Sequence, residues 1–345
     1  MRVAIIGGGP AGLLTGLLLK QRGVADHAVV WERNRKGTAG FGVILPPEVL
    51  DLLRRTVPRL ADAVSPHLAR WEKTCVSRNR ERWMTATPPM AAIARSTLNR
   101  LLWRECDAQG VVLREREAPK LPALASSYDL VVCADGAGSQ AHQAGFVTTV
   151  EEIGPPYAWL GTAQSLDTLT FLAESTVDGC YMAHAYPFSD SAGTFLVEGR
   201  RARTPTDLTA LFGLPVRPDP ARDNSVWRRF RERTVRSWSR GNIVLVGDSA
   251  HTVHYSIGSG THLAFEDAVV LVESLAAAGS LHRALSLYEE TRRPVVEQFQ
   301  GLGRISAEWF SRVDDVFDLP LSRFAAGLLT RGGRFGRVGG TSTPP

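Results

Sequence analysis

The sequence predicts an α/β (α+β) protein: a parallel sheet covered by helices, an antiparallel-sheet domain inserted into it, and C-terminal helices. Three observations lead there. The chain opens as strand, glycine turn, helix and strand; uniformly apolar strands return at 128–133 and 242–246; and between about 150 and 235 it breaks into short apolar runs separated by turn residues.

The first unit is Val3-Ala4-Ile5-Ile6, then Gly7-Gly8-Gly9-Pro10-Ala11-Gly12, then a helix carrying Leu13, Leu14, Leu17 and Leu18. Gly7 permits the tight turn, Gly9 lets backbone approach a pyrophosphate, and Gly12 lets helix pack on strand. A diphosphate belongs at the N-terminus of that helix. The second strand, Ala28-Val29-Val30-Trp31, delivers Glu32 twenty positions after Gly12, where a carboxylate can accept bonds from an adenosine ribose. This Rossmann-like unit serves FAD and NAD alike.

A polar, glycine-rich connection from Arg33 to Val43 follows, too long for a simple turn. A helix is expected from Pro46-Pro47 through Arg54, ending before Pro58, and two short strands around Ser77-Arg78-Asn79-Arg80. A second amphipathic helix spans 94–109, with Arg95 in its first turn and Gly110 as its stop. The strand ending at Cys133 runs into Ala134-Asp135-Gly136. The runs 157–162, 169–172, 180–186 and 193–198 form the inserted sheet. The strand 242–246 leads into Gly247-Asp248, and Ser256-Ile257-Gly258-Ser259-Gly260-Thr261 opens a helix to Leu275. Further helices are expected at 281–301 and 304–317. The division is 1–70, 90–150 and 236–305 for the nucleotide-binding domain, 71–89 and 151–235 for the substrate domain, and 306–330 for C-terminal helices. Residues 331–345 read as a disordered tail.

Composition narrows the class. With 345 residues, 44% apolar and 22% charged, the chain can bury a sizeable core. The net charge of +5 comes from 40 basic residues of which only four are lysines, a pattern of genome composition rather than of nucleic-acid binding. The arginine clusters at 200–203 and 228–236 read as solvated faces; a phosphate-bearing cofactor or substrate handle suits them better than DNA. Cys75, Cys106, Cys133 and Cys180 have no paired spacing, so neither a metal site nor a disulfide framework is expected. No stretch reaches the ~20 apolar residues of a membrane span, and the first strand lacks a leader's cleavage site. A cytoplasmic protein with reduced thiols is expected, monomer or homodimer.

Taken together, Gly7-x-Gly9-x-x-Gly12, Asp135-Gly136, and Gly247-Asp248 followed by Gly258-x-Gly260 resemble the single-component FAD-dependent aromatic hydroxylases of the p-hydroxybenzoate hydroxylase type, over nearly the whole chain. The segments 250–261, 183–186 and 194–198 are most similar to the salicyloyl-CoA and aminobenzoyl-CoA hydroxylases and the violacein-pathway tryptophan-type hydroxylase. The resemblance implies FAD held by Gly7, Gly9, Pro10, Ala11, Gly12, Glu32, Arg33, Arg95, Asp135, Gly247, Asp248, Gly258, Gly260 and Thr261, with Asp248 on the ribityl chain. It implies NADPH or NADH as reductant, a C4a-hydroperoxyflavin as oxygen donor, and an aromatic small molecule, free or tethered to CoA or a carrier protein, as substrate. The chain departs from the family pattern at Ser259, at His262, and at His142, where the family carries arginine. His184, His254 and Tyr186 are the catalytic candidates, the histidines because a neutral imidazole titrates near operating pH. The rivals are a flavin-dependent halogenase, whose Trp-x-Trp-x-Ile-Pro stretch is missing, an NAD-dependent dehydrogenase, which leaves Gly247-Asp248 unexplained, and a flavin-binding protein without turnover.

Overall fold

The strand Arg2–Ile6, buried after its first residue, is the centre of a six-stranded sheet. In the computed structural model, which describes residues 1–35, 40–218 and 227–331, His27–Trp31 and Leu130–Cys133 flank it in parallel. Val112–Arg114 and Ile243–Leu245 continue the sheet in parallel on either side, and Ser239–Arg240 closes one edge antiparallel. Strands apolar on both faces need cover on both. The helix Pro10–Gln21 packs on Arg95–Ala108 and on Gly260–Ala277, and Leu13, Leu14 and Leu19 are fully buried.

Among the described residues the second sheet has nine strands, in the order Val216–Arg217, Thr148–Thr162, Ala192–Glu198, Gly179–Ser189, Leu169–Thr176, Ala69–Arg78, Glu81–Ala94 and Gly42–Leu45, with Arg228–Val235 also paired to Thr148–Thr162. It is not wholly antiparallel as expected: Ala69–Arg78 lies parallel to Leu169–Thr176. The two strands are joined by a long crossover through the first sheet, not by a hairpin, so nothing forces them antiparallel. The hairpin Ala69–Arg78/Glu81–Ala94 turns at Asn79 and Arg80, both at positive φ (47° and 69°), the conformation of a two-residue hairpin loop.

Several expected borders fall inside single elements. Residue 90 lies within the strand Glu81–Ala94, whose last residues pair with Gly42–Leu45, so the end of the expected loop from Arg33 to Val43 is a strand; its residues 36–39 lie outside the described residues. Residues 301–304 and 306 lie within one helix, Leu281–Ser311. Gly303 is not a break there but a contact surface, since a Cβ on it would stand 3.2 Å from His254 Cβ. The short helices Pro58–Val64, Leu121–Ser127 and Pro205–Phe212 were not legible because each buries only two apolar side chains, too few to show a period. The helix Leu321–Thr330 buries Leu321, Phe324, Leu328 and Leu329 against one face of the second sheet, together with Phe310 and Phe317. The expected tail, apart from Arg331, lies outside the described residues.

Candidate active site

One cavity of about 1200 Å³ runs from the glycine turns of the first sheet to the aromatic face of the second. At the first end, the chain leaves Arg2–Ile6 through Gly7, at φ +104°, whose N–H donates to the Trp31 carbonyl (2.8 Å). A Cβ on Gly7 would collide with the Ala134 backbone, and one on Gly12 with the Gly7 carbonyl oxygen. Gly9 differs: a Cβ there meets nothing within 4 Å, because the residue faces the cavity. It caps the helix Pro10–Gln21 without any side-chain acceptor, so the first N–H groups of that helix are left for a ligand. Glu32 accepts from Gly8 N (2.8 Å) and Asn34 N (2.8 Å), and with Arg33 lines the same space.

Asp135 and Asp248 come from two strand ends beside each other. Asp135 accepts from Gln140 N at 3.0 Å and from the Ser249 hydroxyl at 3.5 Å. His142 bonds the Ser249 carbonyl at 2.8 Å and so ties these two loops together. Gly247, at φ +59°, donates to Asp267 Oδ2 (3.0 Å). Asp267 is fully buried between His251 Nε2 (2.7 Å) and Arg292 Nε (2.9 Å). Burial alone would raise its carboxyl, but the charges and hydrogen bonds of His251 and Arg292 hold it below the usual carboxylate range. This ionic triad anchors the turn that presents Asp248, whose side chain is open to the cavity. Enough protein surrounds Asp248 that burial still pushes its carboxyl up, against the pull of His251 and Arg95. Gly258, at φ +61°, with Gly260 and Thr261 completes this wall at the start of Gly260–Ala277. Arg95 reaches over the Trp159 ring, 5.3 Å from its centroid.

The other end is apolar: Tyr157, Leu169, Phe171, Leu196 and Phe230. His184 lines it, clamped between Phe171 and Phe310 (ring centroids 5.0 and 4.9 Å away). Burial, helped by Arg331 and His254, holds its imidazole well below the usual value, so it is neutral. Tyr186 also lines the cavity, but its hydroxyl is committed to the Gly42 carbonyl (3.0 Å) and burial pushes it up; it fastens the strand Gly42–Leu45 to the wall.

His254 does not reach the cavity. It is fully buried beneath Tyr255, 4.2 Å between ring centroids, with Nδ1 bonded to Ser256 Oγ (2.7 Å), which continues to Ser306 Oγ (2.7 Å). Burial drives it down to about 3, so it cannot act on a ligand directly. Gly12 and Gly247 likewise stand behind the lining and shape it.

The sequence reading missed Glu198 and Tyr255 as site residues; Arg228, Arg229 and Arg231 are solvent-exposed, as it expected, and also line the cavity. A signal existed for Glu198: an acid ending a strand, Ala192–Glu198, buried at every position.

The fold and these loops define a dinucleotide-binding protein with an aromatic chamber opening off the cofactor space. The FAD binding domain family matches residues 1–119 and 126–301, and the chain belongs to it. The chain is 44% identical over 339 residues to a 3-hydroxy-4-methyl-anthranilyl-(aryl-carrier protein) 5-monooxygenase of Streptosporangium sibiricum, covering 97% of this chain and 95% of that one. It is 39% identical to a salicyloyl-CoA 5-hydroxylase of a Streptomyces species, covering 96% of this chain and 70% of that one. The solved tetrameric form of 2-methyl-3-hydroxypyridine-5-carboxylic acid oxygenase matches with a TM-score of 0.76 over 96% of this chain and 95% of that one; at 19% identity it speaks for the fold. Among the described residues no helix is long and apolar enough to cross a membrane.

Proposed function

We propose that this FAD-dependent aromatic monooxygenase hydroxylates an electron-rich ring delivered on a CoA or carrier-protein tether, with NADPH or NADH as reductant. The carrying observation is the continuous cavity that joins the glycine turns to the aromatic chamber. The residues present fit FAD: Gly9 leaves space for a pyrophosphate at an uncapped helix N-terminus, Glu32 stands at ribose distance along the motif, and Asp248 points an acceptor into the cavity. When bound, FAD supplies the redox chemistry: reduction by a nicotinamide and activation of O2 for transfer of one oxygen atom to the ring.

The protein's part is placement and exclusion. Phe171, Leu196 and Phe230 offer an apolar chamber that keeps water from the reacting centre, and the clamp on His184 fixes one polar group within it. Arg228, Arg229 and Arg231 offer cations to the phosphate of a tether. The two relatives are named for tethered aromatic substrates, which supports this reading.

The test is a visible spectrum of the purified protein, followed by anaerobic NADPH addition with and without hydroxybenzoyl and aminobenzoyl thioesters. Flavin bands that bleach faster with a thioester present are expected. A colourless protein that takes up no added FAD, or one whose bleaching no aromatic compound accelerates, would refute it.

A further inference from the structure

Glu198 is 2% exposed and His184 7%, and their nearest polar atoms, Glu198 Oε1 and His184 Nε2, stand 3.6 Å apart. Among the described residues neither Glu198 oxygen nor His184 Nε2 makes a hydrogen bond of ordinary geometry. Buried polar atoms are nearly always paired, and an acid left so inside an apolar strand is expensive. At 3.6 Å the pair is open, with the imidazole lining the cavity, the carboxyl behind it and the Tyr255 hydroxyl beside the carboxyl.

We propose that His184 and Glu198 form a proton-accepting pair for an acidic O–H on the substrate ring, with His184 touching the substrate and Glu198 acting through it. The proposal rests on the hydroxylase reading above and narrows it from aromatic rings in general to those bearing a phenolic hydroxyl. The ring O–H bond breaks and its proton forms an N–H bond at His184 Nδ1, while the proton on Nε2 passes to the Glu198 carboxylate. The electron pair stays on the ring oxygen. The imidazole ends neutral, and the negative charge has moved from Glu198 to the ring, which becomes a better donor toward an electrophilic oxygen. The orienting half follows the general logic of a buried carboxylate behind a histidine; the transfer of the far proton is particular to this pair, because burial makes the Glu198 carboxylate far more basic than an ordinary one.

The surroundings suit the transfer. His254 and Tyr255 face the pair from the segment before Gly260–Ala277, Tyr157 from Thr148–Thr162, and Arg331 from just beyond Leu321–Thr330. Burial pushes the Glu198 carboxyl up to about 8, although the Tyr255 hydroxyl and Arg331 favour its charged form. An acceptor of that strength approaches the acidity of a phenol, the condition for efficient transfer.

The test uses the FAD-loaded enzyme and two probes, the N-acetylcysteamine thioesters of 3-hydroxyanthranilic acid and of anthranilic acid, which differ only in the hydroxyl. Glu198→Gln and His184→Gln should each lower kcat/KM for the hydroxylated probe by about a hundredfold and that for the other by less than about threefold. With wild type, kcat/KM for the hydroxylated probe should rise as pH climbs through about 8, and Glu198→Gln should abolish that limb. Equal losses on both probes, or a limb that survives in Glu198→Gln, would overturn the pair. Glu198→Asp, which keeps an acid, should recover part of the limb if Glu198→Gln loses flavin; no recovery counts against the proposal. Wild-type enzyme that hydroxylates neither probe sinks the hydroxylase reading together with the pair, and does so before any variant is made.

Discussion

The two ends of the cavity are built from different materials. The nucleotide end is backbone: Gly7, Gly9 and Gly12, a bare helix N-terminus, and turns held by Asp135 and Asp267. The aromatic end is side chains from distant segments, with Phe171, His184, Leu196, Phe230 and Tyr255 arriving from four strands and a loop. Backbone sites tolerate little change at a few positions. Side-chain sites tolerate change at many and are tuned by burial.

The contrast predicts graded losses. The largest is Gly12→Val, whose Cβ would occupy the place of the Gly7 carbonyl oxygen; no soluble flavin-loaded protein should be recovered, and normal yield with full flavin would show that the turn can relax. Next comes Asp267→Ala, which takes from buried Arg292 one of its two carboxylate partners, leaving Glu266, strips His251 of its acid and frees the Gly247 N–H. It should cost about 3–5 kcal/mol in urea unfolding, the range for breaking a buried pair from one side. A loss below about 1 kcal/mol would mean that the triad is no anchor.

At the aromatic end the effects depend on pH. Glu198 has a folded-state value of about 8, above the 4.5 of an ordinary glutamate, so the folded protein binds more protons between these values and stability falls as pH rises through that window. Glu198→Gln removes the penalty. It should therefore stabilise the protein relative to wild type by about 3 kcal/mol more at pH 8 than at pH 5, measured as thermal unfolding; a difference independent of pH would show that the carboxyl is ionised throughout. The smallest effect is Asp248→Ala, which should weaken FAD binding by about 2 kcal/mol, roughly thirtyfold, in a protein that still folds. Full flavin retention would remove Asp248 from the cofactor's contacts.

Legibility divided along the same line. The turn at Gly7, Gly9 and Gly12 and the places of Glu32, Asp135 and Asp248 at strand ends were readable, because turns and buried strands leave their demands on neighbouring residues. His184 was readable only as a candidate, since nothing local says that a histidine in a strand faces a cavity. His254 looked equally good in sequence, and it lies under Tyr255 because Gly303 lets the helix Leu281–Ser311 come close. The parallel pairing of Ala69–Arg78 with Leu169–Thr176 joins segments about a hundred residues apart, which no period records.

By itself the sequence determined the four central strands of the first sheet, their glycine turns and the acids at their ends, because these obey local rules of backbone conformation and burial period. Only the tertiary structure decided which polar side chains share the aromatic chamber. Glu198 stands behind His184, and Tyr186 is spent on Gly42, because packing between distant strands sets distance and burial, and those set protonation.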